Sequence, residues 1–154
     1  MKSQNAFLVI RQLDKKLNFL RSLQEITPPA NGWINLIRKT LKISLRQLGH
    51  KMSMTPQSAR DIEVREREGS ITLKALNEVA EALDMKLVYG FIPKDSSLEK
   101  MIERKARNLA TSIVTRTSTT MKLEDQGNSE ERLKQAIAEL TEEIKRDIPK
   151  NLWD

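Results

Sequence analysis

Gln57, Ser58, Arg60, Asp61 and Arg65 crowd into one short stretch of a 154-residue chain, and each can hydrogen-bond a base edge or a phosphate. Glutamine pairs in bidentate fashion with adenine, and a carboxylate accepts from the amino group of cytosine. Gln57 and Asp61, four residues apart, are therefore the candidate base readers. Ser58 and Arg60 are placed for flanking bases or phosphates. Thr55 and Arg65, together with Arg38, Lys39, Arg46 and Lys51 upstream, are candidate phosphate contacts. Other chemistries lack their residues. There is no cysteine, His50 is the sole histidine, and neither a Gly-rich phosphate loop nor metal-ligand spacing occurs. No enzymatic activity, cofactor or metal is expected. His50 is expected at the surface or facing phosphate.

Reading bases requires a rigid element, and residues 44–84 supply the pattern for one. Ser44 with Gln47 three residues on forms a capping box, and Leu45, Leu48 and Met52 then fall on one helical face. Ser53 and Met54 make a short connector. Thr55 caps a second helix whose first turn accepts Pro56, and Ala59 and Ile62 mark its buried side. Gly69 ends it. Thr72 opens a third helix with Leu73, Leu76, Val79, Ala80 and Leu83 as its apolar stripe. Gly49 stands where two steeply crossing helices must approach closely. Two short helices on a tight turn, the second polar and proline-started, form the helix-turn-helix pattern; an ordinary small helical bundle is the competing reading.

The run from Ser44-Leu45-Arg46-Gln47-Leu48-Gly49 through Ile62-Glu63, then Leu73 to Leu83, resembles the Cro/repressor, or lambda-repressor-like, helix-turn-helix type. Gly49 replaces that type's usual alanine, Leu45 its frequent phosphate-holding glutamine, and Glu63 matches its glutamate. Over the whole chain, a basic N-terminal helix, GWINLIRKTL, the helix-turn-helix, LVYGFIP, TMKLEDQ and a terminal LWD occur in that order. This resembles the bacterial mobile mystery protein A family. The resemblance implies a regulator or antitoxin encoded beside a Fic-domain protein, which would be its partner. Thr120-Met121-Lys122-Leu123-Glu124-Asp125 approximates the Fic inhibitory pattern, with Glu124 as the inhibitory carboxylate and Asp125 departing from its Gly/Asn position. An ordinary surface turn would look the same.

Charge separates along the chain. The net charge is +6, and residues 1–69 hold 13 Lys/Arg against 6 Asp/Glu, whereas residues 96–154 hold 11 of each. A basic half beside a neutral one suits phosphate binding with a separate interaction arm. No apolar run is long enough for a membrane span and none resembles a signal peptide, so a cytoplasmic protein is expected.

The expected fold is mainly α, in four segments. Residues 1–30 form an amphipathic helix, from about Gln4 to Gln24 (Phe7, Ile10, Leu13, Leu17, Leu20), and a Pro-Pro, Asn-Gly linker. That helix packs on the helix-turn-helix or pairs with another copy; a membrane surface is the alternative. Residues 31–84 are the DNA-binding domain, whose first helix turns Trp33, Ile34, Ile37 and Leu41 inward and Arg38, Lys39 and Lys42 outward. Residues 85–94 read as a strand with no partner in the chain. It either pairs across a twofold axis in a homodimer, implying a palindromic operator, or packs as extended coil. Residues 95–154 form a helical arm. One helix runs from Ser97 to about Arg116, capped by Asp95 or Ser96, and a Thr-rich break follows it. A second helix carries Leu133, Ile137, Leu140, Ile144 and Ile148 and stops at Pro149. Leu152 and Trp153 form an exposed hook. The arm is either a small subdomain or a partner-binding surface, with Leu152 and Trp153 as anchors.

Overall fold

The computed structural model describes residues 2–123 and 129–154. The chain is mainly α-helical: α1 Lys2–Asn18, α2 Trp33–Thr40, α3 Leu45–Lys51, α4 Pro56–Glu68, α5 Leu73–Ala82, α6 Leu98–Leu123 and α7 Glu130–Asp147, with short 3-10 turns at Arg21–Glu25 and Lys150–Trp153. It divides into two compact units, residues 22–90 and residues 1–21 with 91–154.

In the first unit, α2 to α5 enclose a core of Ile34, Leu48, Ala59, Ile62, Val79 and Leu83. The helix starts follow from their caps. Ser44 Oγ accepts from the Gln47 N–H while the Gln47 side chain accepts from the Ser44 N–H, which completes the capping box. Thr55 Oγ1 and Thr72 Oγ1 accept from the N–H groups of Ser58 and Ala75. The helix ends are left-handed turns in which the next N–H reaches back to the carbonyl five residues earlier. Ile43 bonds Arg38, Met54 bonds Gly49, Ser70 bonds Arg65 and Met85 bonds Ala80. Only one of the four turn residues is glycine (Gly69); the others are Lys42, Ser53 and Asp84.

In the second unit, α1, α6 and α7 pack around Ile102, Ala106, Ala110, Ile144 and Leu152, joined by Ile10 and Ile148. Helix α1 packs on α6 and α7 within its own unit. Asp14 gives one reason. Its carboxylate accepts from the N–H groups of Leu98 (2.7 Å) and Glu99 (3.3 Å), capping α6 where its orphan donors need an acceptor. Ser97 caps Lys100 beside it, and the expected cap Asp95 instead takes a two-pronged ion pair with Arg104. The hydrogen bond from Arg104 holds the partly buried Asp95 carboxyl below its ordinary range.

Two further expectations need correction. Helix α1 stops at Asn18, short of Gln24. Helix α6 runs through the Thr-rich stretch to Leu123, because Thr117, Thr119 and Thr120 donate their hydroxyls to carbonyls four residues back and so remain compatible with helix. Residues 85–94 carry no regular secondary structure, and there is no strand among the described residues. A single chain offers this segment no ladder partner, and Val88, Tyr89 and Phe91 lie exposed. No helix among the described residues is long and apolar enough to cross a membrane.

Candidate nucleic-acid interface

The geometry of α4 is set at one close approach. A Cβ on Gly49 would lie 2.7 Å from the Met54 carbonyl oxygen and 3.1 Å from the Thr55 carbonyl, so only glycine lets α3 meet the connector at this distance. From there Ser53 turns left-handed, Thr55 caps and Pro56 begins α4. Ala59 and Ile62 face the core, which leaves Gln57 and Asp61 on the opposite, exposed side. Their side chains meet: Gln57 Nε2 donates to Asp61 Oδ1 at 3.1 Å. The two expected base readers are thus one hydrogen-bonded pair, with the Gln57 carbonyl and the second Asp61 oxygen left to face a ligand.

Thr55 has less freedom. Its hydroxyl accepts from the Ser58 N–H and donates to Ser58 Oγ at 2.9 Å, so its oxygen belongs to the helix cap. Arg65 is exposed, with Nε 3.4 Å from the Asp61 carbonyl. Across the connector, exposed Arg46, His50 and Lys51 surround an open groove of about 700 Å³ floored by Ile43, Met54 and Pro56.

Arg38 is not where the sequence placed it. It is buried and ion-paired with Glu63: Nε donates to Oε1, and NH2 to Oε2 at 3.3 Å. Its NH1 also donates to the Ile43 carbonyl at 2.9 Å, and Asn35 Nδ2 donates to Glu63 Oε2 at 2.7 Å. Burial disfavours the Glu63 anion. The hydrogen bonds from Arg38 and Asn35 and the nearby charges of Arg38 and Lys39 outweigh it, holding the carboxyl below its ordinary value. Arg38 is thus a strut between α2 and α4 and cannot touch a phosphate. Trp33, expected as a core anchor, is 42% exposed. The inner face of α2 is Ile34 and Ile37, as expected, with Arg38 one turn on from Ile34 because α4 supplies a carboxylate for the guanidinium, whereas Leu41, also expected inward, is exposed.

Glu66 makes a second strut. Its two oxygens accept from the N–H groups of Trp33 (2.8 Å) and Ile34 (2.9 Å), capping α2 from α4. Gly32 leaves room for it, since a Cβ there would lie 2.8 Å from Glu66 Oε2. Sequence reasoning missed Glu66 because its partners are backbone donors more than thirty residues away. Lys39 and Arg60 are exposed and line a cleft between α2 and α4 with Arg67, another residue not singled out from sequence. The signal for Arg67 was its i+7 spacing from Arg60, which puts both on one side of α4.

In the other unit, Leu152 is 4% exposed and packs with Ile102 and Ala106, so it is a core residue and no partner anchor. Pro149 and the 3-10 turn after it fold it inward. Trp153 remains half exposed, with the Lys105 ammonium 5.5 Å from its ring centroid. Glu124 lies outside the described residues. Comparison with protein-family models, with curated proteins and with solved structures finds no match.

Proposed function

We propose that this protein is a sequence-specific DNA-binding regulator, with α3 and α4 as a lambda-repressor-like helix-turn-helix. The observation that carries the reading is the division of labour on α4. Its inner side is fixed by core packing, by the Glu63–Arg38 pair and by the Glu66 cap, while its outer side presents the Gln57–Asp61 pair to solvent. A rigidly held helix with amide and carboxylate groups outward has what base readout in a major groove demands. Exposed Arg46, Lys51, Arg65 and Lys39 flank it as phosphate contacts.

In this reading the protein acts in the bacterial cytoplasm as a homodimer. The exposed apolar residues 85–94 pair as strands across the twofold axis, and two α4 helices enter successive major grooves. The sequence resemblance adds a Fic-domain partner, with the protein serving as antitoxin and autorepressor. Footprinting over the DNA upstream of its own gene tests this. A protected palindrome is expected, with half-sites about one helical turn apart. Uniform cleavage at saturating protein would overturn it.

An alternative, a protein-neutralising antitoxin that uses DNA only secondarily, draws support from the unit of α1, α6 and α7. That unit has its own core and leaves Leu8, Val9, Phe19 and Trp153 exposed.

A further inference from the structure

The cleft between α2 and α4 has a volume of about 270 Å³ and is lined by Asn31, Asn35 and Lys39 on one wall and Arg60, Glu63, Val64 and Arg67 on the other. Three cations converge there, and none of them belongs to an ion pair among the described residues. The carboxylates best placed to neutralise them are already taken. Glu63, which could have met Arg67 at i+4, is held by Arg38 and Asn35, and Glu66 caps α2. The one carboxylate of the cleft, Glu63, is already matched by Arg38, so the three cations leave an excess of positive charge whose mutual repulsion an anion relieves. Two guanidiniums and an ammonium, with an asparagine amide at the rim, match the three oxygens and the charge of a phosphate group.

We propose that this cleft is a phosphate-binding site, with Lys39, Arg60 and Arg67 as its ligands. In it Arg60 grips a phosphate and does not read a base. The phosphate can come from a duplex backbone, in which case the site rests on the DNA-binding reading, or from a free phosphorylated compound.

The test uses the full chain and a K39Q/R60Q/R67Q variant, with K39R as the conservative control. All three side chains are outside the cores, and circular dichroism confirms that each variant is folded. Inorganic pyrophosphate is titrated at constant ionic strength while the side-chain amide signals of Asn31 and Asn35 are followed by NMR. A saturable shift is expected in the unsubstituted chain, kept in K39R and lost in the triple variant. No saturable shift, or an equal one in the triple variant, overturns the site.

Binding to the upstream duplex and to a scrambled one is measured in parallel. If the backbone supplies the phosphate, the triple variant loses at least about tenfold on both duplexes. Its dependence of log K on log salt also becomes shallower by about 1. Unchanged duplex binding with a lost pyrophosphate response assigns the site to a free phosphorylated compound. A pyrophosphate response in a chain that binds no duplex leaves the site standing and sinks the DNA-binding reading alone.

Discussion

Arg38 of α2 and Glu63 of α4 form a buried ion pair that ties the helix before the turn motif to the helix proposed to read DNA. Every oxygen of the carboxylate and all three guanidinium nitrogens of the arginine have a partner, the third nitrogen closing on the Ile43 carbonyl. A pair so completely bonded costs little to keep and much to halve. E63A should destabilise the unit of residues 22–90 by about 3–5 kcal/mol, because it strands a buried guanidinium, whereas R38M/E63L should recover most of that loss. Urea unfolding in a W153F background measures it, since Trp33 then reports this unit alone. Equal loss in the single and double variants would show that the pair contributes packing only.

The same pair sets an acid limb. The Glu63 carboxyl is held below its ordinary value, about 4.5, in the folded chain, so its contribution is fully present above that value. It fades as pH falls through the lower folded value. Stability of the unsubstituted chain should therefore fall more steeply below about pH 4.5 than that of E63Q, which has no proton to gain. Parallel curves from pH 6 to pH 3 would assign acid sensitivity to other carboxylates.

Gly49 and Gly69 separate two reasons for glycine. G49A places a methyl against the Met54 carbonyl and should cost about 1–3 kcal/mol, although alanine favours helix by about 1 kcal/mol. G69A meets nothing within 4 Å and pays only for its left-handed backbone, φ +76°, about 1 kcal/mol. Because the close approach at Gly49 aims the proposed reading helix, G49A should weaken specific DNA binding more than G69A does, measured at a temperature where both are folded. Equal effects would mean that the close approach does not aim the helix.

At the C-terminus, neighbouring apolar residues should behave oppositely. L152A should destabilise the unit of α1, α6 and α7 by about 2–5 kcal/mol, since Leu152 lies in its core. W153A should leave thermal stability within about 1 kcal/mol and weaken capture of the proposed Fic-domain partner. Calorimetry and co-purification of the pair distinguish them. A W153A variant that captures the partner as well as the unsubstituted chain removes Trp153 from that interface.

The helices of residues 44–84 were legible because local rules specify them. A capping box, two threonine caps, a proline at the first turn and a glycine close to a backbone carbonyl are all short-range signals. What escaped is long-range. Arg38 looked like a surface cation because helical periodicity cannot show a carboxylate twenty-five residues on, and Asp14 gave no sign that it caps a helix eighty-four residues away. Even the charge excess of the first 69 residues misled in part. Five of those Lys/Arg lie in residues 1–21, which belong to the unit of α1, α6 and α7. The Thr-rich stretch of α6 failed for a different reason: propensity counts threonine against helix, but its hydroxyls there bond within the helix.

Base readout itself is exposed to test at Gln57. If Gln57 reads a base as proposed, Q57A should cost about 1–3 kcal/mol on the operator and leave scrambled DNA unaffected. In competition assays, a uniform loss on all sequences would turn Gln57 into a backbone contact.

The most direct measurement is affinity for the duplex upstream of the gene against a scrambled duplex, over a range of salt. Binding to the upstream duplex at least about a thousandfold tighter at physiological salt is expected, with the difference persisting as salt rises. Equal and weak affinities that collapse together with salt would mean that the cations only hold phosphates, and would contradict sequence-specific regulation.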